Sequence, residues 1–286
     1  MARRTTTPRR RPRSRAKSRA RSRSFLLRWP RARRLRRILR YLRRAPLFVQ
    51  VTVASAVLFT LWLAINGVYQ VVRKPTELFF PVSGTLYKTP VETWDDYESL
   101  FREHATGVVT PELLAALAQV EGSGNPIVRT YWRWRLTPEP FEMYRPASSA
   151  VGMYQITDGT FLEARQYCIH DNRVVEDGAW NEWDSCWFNW LYTRVIPSHA
   201  VEMTSAYLDQ RLRSILERRR IRSATLQQKQ DLATIVHLCG AGAGDTYARR
   251  SFRLSPRQKC GDHEARVYLQ RVHAMRRLFT GLASGT

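Results

Sequence analysis

Between Arg44 and Arg73 the chain carries 28 consecutive uncharged residues, with the apolar run LFVQVTVASAVLFTLWLAINGVYQVV from Leu47 to Val72 at their centre. At ~1.5 Å of rise per residue, about 20 of these cross a hydrocarbon layer of roughly 30 Å as a helix. Gln50, Thr52, Ser55 and Thr60 make the run less oily than an ideal span without breaking it. Residues 45–72 are therefore expected to form a transmembrane helix, with Trp62, Tyr69 and the Arg73-Lys74 pair at the far interface. The competing readings are a buried core helix and a cleaved signal with Ala54-Ser55-Ala56 as its small-residue site. Cleavage there would cut through the apolar run and leave a greasy new N-terminus.

Charge fixes the expected orientation. Of the 47 Lys and Arg residues, 20 precede residue 45, and the first carboxylate in the chain is Glu77. Twenty basic residues before the span and two just after it place residues 1–44 in the cytoplasm and everything beyond on the far side. Residues 1–24 have almost nothing to bury and read as disordered, whereas Phe25 to Leu42 interleaves Arg with Leu, Ile, Trp and Tyr. That second stretch fits either an amphipathic helix on anionic lipid heads or a solvated basic linker. The remaining 242 residues are nearly neutral, so the overall formal charge of +23 is no nucleic-acid footprint on a folded surface.

The even cysteine number suits a compartment where disulfides persist. Cys168, Cys186, Cys239 and Cys260 allow three pairings, of which the local one (Cys168 with Cys186, Cys239 with Cys260) is preferred. A zinc site drawing on His237 and His263 lacks the tight knuckle spacing of a structural motif, so no metal is expected.

Periodicity in the outer part is helical. Residues 73–107 read as a linker with at most a short helix near Asp95 to Arg102. Thr110 caps a helix that starts with Pro111 and Glu112, buries Leu113, Leu114, Leu117 and Val120, and stops at EGSGNP, Glu121 to Pro126. Glu121 thus lies at the helix end that disfavours a negative charge. Thr157 caps another helix whose apolar face is read as Phe161, Leu162, Tyr167 and Ile169. Trp180, Trp183, Trp187 and Trp190 recur at helical spacing, with core packing around Cys186 favoured over ligand stacking. Further helices are expected from Ser198 to Arg219, Ala224 to Leu238 and Glu264 to Leu278. The glycines of CGAGAG, residues 239–244, read as a loop that lets a ligand approach closely. The glycine spacing, after a helix rather than a strand, is not a dinucleotide fingerprint. The fold class is all-α, with a domain from 108 to 286.

Four segments in this order resemble the lytic transglycosylase family, the goose-type-lysozyme-like enzymes that cleave bacterial peptidoglycan. A helix ending in the catalytic Glu, with Pro five positions on, matches Glu121 and Pro126, although the family's Ser after the Glu is Gly122 here. The family's G-A-x-G-L-M-Q resembles Ser149-Ala150-Val151-Gly152-Met153-Tyr154-Gln155. Its Y-N-A-G-P-G resembles Cys239 to Gly244, with Cys239 and Gly240 in place of Tyr and Asn, and its late Tyr corresponds to Tyr268. The resemblance spans about residues 108–275. It implies a lysozyme-like fold, Glu121 as the acid and base, and Gly152, Tyr154, Gln155, Ala241, Gly242 and Tyr268 around the sugar, with no cofactor. It further implies peptidoglycan glycan strands as substrate, an inner-membrane anchor and a periplasmic catalytic domain. The EGSGNP form is also similar to versions attached to cell-envelope secretion and conjugation machines.

The implied chemistry needs Glu121 protonated, a state that an apolar surround favours, to cleave the β-1,4 bond between N-acetylmuramic acid and N-acetylglucosamine and leave a 1,6-anhydro sugar. Hydrolysis of the same bond would need a second carboxylate, for which Asp158, Glu163, Asp171 and Asp184 are candidates. A non-catalytic glycan-binding assembly protein is the other alternative. Nucleic-acid binding rests on the arm alone.

Overall fold

The computed structural model describes residues 40–179, 181–182 and 185–285, with the backbone alone at Phe80. The readings made for residues 1–39, Trp180, Trp183 and Asp184 lie outside them. The chain forms two units, 1–61 and 62–286. Among the described residues of the first, the side chains of Leu47, Phe48, Val51, Val57, Leu58, Phe59 and Leu61 are exposed on helix α1, Leu47–Arg73, which continues into the second. It is long and apolar enough to cross a membrane and, among the described residues, no other helix is.

The second unit is mostly helical. After α1 come a 3₁₀ turn at Pro75–Phe79, then α2 (Phe80–Ser83), α3 (Pro90–Glu103), α4 (Pro111–Gly122), α5 (Asp158–Ala164), α6 (Pro197–Arg218), α7 (Leu226–Cys239), α8 (Ala241–Arg249) and α9 (Ala265–Ser284). Three antiparallel two-stranded hairpins punctuate them: β1 (Trp132–Trp134) with β2 (Tyr144–Pro146), β3 (Tyr167–His170) with β4 (Arg173–Glu176), and β5 (Lys259–Cys260) with β6 (His263–Glu264).

Helix α4 is the centre of the core. Its sequence PELLAALAQVEG is apolar on nearly every side, and Leu113 to Ala118 are all buried between α3 and α9. A helix apolar all round must be enclosed, and this one is. Thr110 accepts a hydrogen bond from the Leu113 N–H and Pro111 opens the first turn, as the sequence predicts. Helices α6, α7 and α9 likewise fall where their apolar periodicity puts them, and α7 starts from a capping box between Thr225 and Gln228.

Three expectations need correction. The segment read as a linker contains α3, a full helix started by a Thr89–Glu92 capping box. Its Trp94, Tyr97 and Phe101 are buried in the core against α4 and, through Trp94, against Phe279 of α9. The Pro and Gly punctuation marks only the ends of this stretch. The helix capped by Thr157 stops at Ala164, and Tyr167 and Ile169 lie on β3. Asp171 and Asn172 form the tight turn to β4 with φ of 50° and 60°, the left-handed pair that a two-residue hairpin requires. The tryptophan-rich stretch has only a 3₁₀ turn at Asn189–Leu191 among its described residues. Trp187 and Trp190 are exposed rather than buried in the core.

Both disulfides join the local pairs. Cys168 bonds Cys186, and Cys239 bonds Cys260, with Cα separations of 5.5 and 5.2 Å.

Candidate active site

Glu121 occupies the last turn of α4, where the central helix stops against the loop bearing Met153 and Gln155. The stop is steric. An added Cβ at Gly122 would stand 2.8 Å from both Cα and the carbonyl oxygen of Met153. Glu121 therefore emerges from the core into a cleft of about 730 Å³. Its lining includes Thr130, Tyr131 and Arg133, and Cys260, Asp262 and His263 of the β5–β6 hairpin.

Two side chains converge on Glu121 Oε1. The Tyr268 hydroxyl, from the first turn of α9, donates a hydrogen bond to it, and His237 Nε2, from the last turn of α7, lies 3.7 Å away. The Glu121 and His237 side chains keep 17% and 10% of their exposure, so the carboxyl faces the cleft but is largely withdrawn from bulk water. Burial, the Glu121 charge and the hydrogen bond all push the Tyr268 phenol well above its ordinary range, which keeps it a proton-bearing donor. Burial lowers the His237 pKa, with Glu121 and a hydrogen bond to the Tyr154 backbone pulling the other way.

The loop with Gly152 supports this arrangement from below. Gly152 has φ of 80°, and a Cβ there would fall 2.1 Å from the Arg194 carbonyl oxygen. Its N–H donates to the Val128 carbonyl, so its backbone is spent on structure rather than presented to a ligand. Gln155 lines the cleft while its Nε2 donates to the carbonyls of Gly152, at 3.0 Å, and Val128, at 3.3 Å. Its Oε1 accepts no hydrogen bond among the described residues and is available to an amide N–H or hydroxyl in the cleft.

The structure thus brings together Glu121, Tyr154, Gln155 and Tyr268, and it corrects three readings. Tyr154, expected to offer a stacking surface, is fully buried at the cleft floor, its ring edge-on to His237 with centroids 6.5 Å apart. Ala241 and Gly242 do not line the cleft. The run expected as an open loop is broken only at Gly240, where φ is 80°, and α8 begins at the next residue. Cys239 and Ala243 face the cleft in their place.

Of the second-carboxylate candidates, Asp158 pairs with Arg194 at 2.8 Å, Glu163 pairs with Arg211, and Asp171 sits in the β3–β4 turn. None of these three lines the cleft, whereas Asp262, which sequence reasoning passed over, does. His237 was also missed as a partner of Glu121. Its position two residues before Cys239 was readable, but its approach to a residue 116 positions earlier was not. No family model and no curated protein matches the chain.

Proposed function

We propose that the protein is a membrane-anchored peptidoglycan-cleaving enzyme of the lytic transglycosylase type, with a lysozyme-like helical domain facing the periplasm and residues 1–44 in the cytoplasm. The observation that carries this reading is Glu121, lining a sugar-sized cleft at the end of the central helix and held there by the Tyr268 hydroxyl. A carboxyl in that setting can donate and retrieve one proton at a single point.

In this mechanism protonated Glu121 gives its proton to the glycosidic oxygen as the bond to the muramic acid C1 breaks. The oxygen of the substrate's own N-acetyl group stabilises the electron-poor carbon. Carboxylate Glu121 then takes the proton from the C6 hydroxyl, whose oxygen bonds to C1 and displaces the acetamido oxygen. The product is a 1,6-anhydro end, Glu121 is again protonated, and no water is consumed. Tyr268 holds the carboxyl in position, and Gln155 offers Oε1 to the acetamido sugar. The cleft asks for no metal or cofactor in these steps, glycan strands are the partner, and anionic lipids of the inner membrane meet the basic arm. The EGSGNP likeness makes a secretion or conjugation complex a natural setting.

Hydrolysis of the same bond is the second reading, favoured by Asp262 in the same cleft. Mass spectrometry of digested peptidoglycan separates the two. Anhydro ends, lighter than reducing ends by one water, are expected, and reducing ends would favour the hydrolase. Glu121→Gln should lower the rate by ~10²-fold or more with little change in folding. Undiminished turnover would refute the assignment of the acid.

A further inference from the structure

The β1–β2 hairpin has two unlike faces. Trp132 and Trp134 alternate with Arg133, and the register sets Trp134 opposite Tyr144 and Arg133 opposite Arg145. The aromatic face closes on the last turns of α1. Trp134 stacks on Trp62 at 5.9 Å and on Tyr144 at 4.5 Å, and Phe141 meets Tyr69 at 4.8 Å. The two amides of this part of α1 are buried in the same contact. Asn66 Nδ2 donates to the Tyr144 carbonyl and Gln70 Nε2 to the Phe141 carbonyl, each at 2.6 Å. Beyond this contact the hairpin leaves Tyr131, Trp134 and Leu136 exposed, Leu136 completely so, with Arg133 and Arg135 exposed among them.

These observations conflict with a bilayer that reaches up to Arg73. Leu47 to Ala64 is already about 18 residues, ~27 Å of helix, close to the full hydrocarbon thickness. A boundary at Arg73 would sink Arg133, the Arg145–Glu142 ion pair and the hairpin backbone into hydrocarbon, where charges and open strand edges are not tolerated.

We propose that the outer boundary of the bilayer lies at Trp62 and Trp134, and that Tyr131, Trp134 and Leu136 rest in the headgroup–acyl interface as a second membrane contact. The proposal rests on α1 crossing a bilayer. Tryptophan and tyrosine favour that zone, because an apolar ring with one polar edge suits a boundary that is oily on one side and wet on the other. Arg133, on the opposite hairpin face, meets lipid phosphates. The occupant of the exposed apolar surface is therefore lipid, continuous with the lipid around α1. Tyr131 and Arg133 also line the cleft, so the cleft mouth opens at headgroup level, and the glycan it can take is glycan lying against the membrane.

The test uses the full chain in proteoliposomes. All four cysteines are in disulfides, so a single introduced thiol takes a spin label cleanly. Leu136→Cys is compared with Val57→Cys on α1 and Ser223→Cys in the exposed α6–α7 loop, by collision with oxygen, which enriches in lipid, and with a water-soluble nickel chelate. Intact mass should show both disulfides in each variant. The expected order of oxygen preference is 57 above 136 above 223. A label at 136 as open to nickel as the one at 223, with 57 shielded, overturns the proposal. So does a label at 136 shielded from both reagents, which means that protein covers it. Nickel access at 57 equal to that at 223 removes the spanning helix itself, and the proposal falls with it.

Discussion

Removing the two disulfides one at a time separates the stability of the domain from the shape of its cleft. The bridges close loops of 18 and 21 sequence steps, and the loop-closure relation gives ~3 kcal/mol for each, the two differing by only ~0.1 kcal/mol. The Cys168→Ala/Cys186→Ala and Cys239→Ala/Cys260→Ala variants should therefore unfold at similar denaturant concentrations, both below the parent. Activity should divide them. Cys239 and Cys260 line the cleft, and their bridge ties the end of α7, where His237 sits, to the β5–β6 hairpin. That hairpin leads directly into α9 and Tyr268, whose hydroxyl holds Glu121. Release of this wall displaces the support of Glu121, the proposed proton donor, and a shift of ~1 Å in a catalytic group can cost ~10²-fold. Cys168 and Cys186 do not line the cleft. The expected outcome, read by dye release from labelled peptidoglycan at a temperature where both variants are folded, is a loss of at least ~10-fold for the second variant and little for the first. Equal losses in the two, or full activity without the Cys239–Cys260 bridge, would refute the coupling between that bridge and the site.

Three further outcomes follow from the packing and the charges. Phe101→Ala should cost ~3 to 5 kcal/mol in urea unfolding, because the ring is fully buried where a linker residue would cost almost nothing. Gly152→Ala should cost ~2 to 4 kcal/mol in the same assay, combining the left-handed backbone with the clash against the Arg194 carbonyl. Burial lowers the His237 pKa in the folded state, so the unfolded chain takes up the proton first as pH falls below ~6.5. His237 therefore contributes a loss of stability from about pH 6.5 downward to its lowered folded pKa and none above. His237→Gln should flatten that slope in melting temperatures taken from pH 7.5 to 5.

Where the chain advertises its structure it does so through caps and long apolar periods. Thr110-Pro111 and the leucines after it define α4, and Val201, Leu208, Leu212 and Ile215 define one face of α6, which the structure buries as expected. The same logic was available for α3, since Thr89 with Glu92 is a capping box and Trp94, Tyr97 and Phe101 are spaced by three and four. The surrounding Pro and Gly masked it. The hairpins were harder, because two to four residues hardly establish a period, although Asp171-Asn172 and the alternating Trp-Arg of 131–135 were signals of the right kind. The sequence placed Glu121 at a helix end and set Tyr268 apart. It could not show that Tyr268 and His237 meet around one carboxyl, because those approaches depend on how α4, α7 and α9 pack, over separations beyond 100 residues.

The close approach of Gly122 to Met153 bears on how this chain could vary. The resembling family carries a serine directly after its glutamate, and here even the first carbon of a side chain would press on the Met153 backbone. The helix end and the loop beneath it have come together in a way that consumes the room a serine needs. A Gly122→Ser substitution by itself is thus closed off until Met153 and its neighbours move, and those neighbours include Gln155 in the cleft. Position 122 and the Met153 backbone form a matched pair in this chain, and a side chain at the first requires a shift in the second.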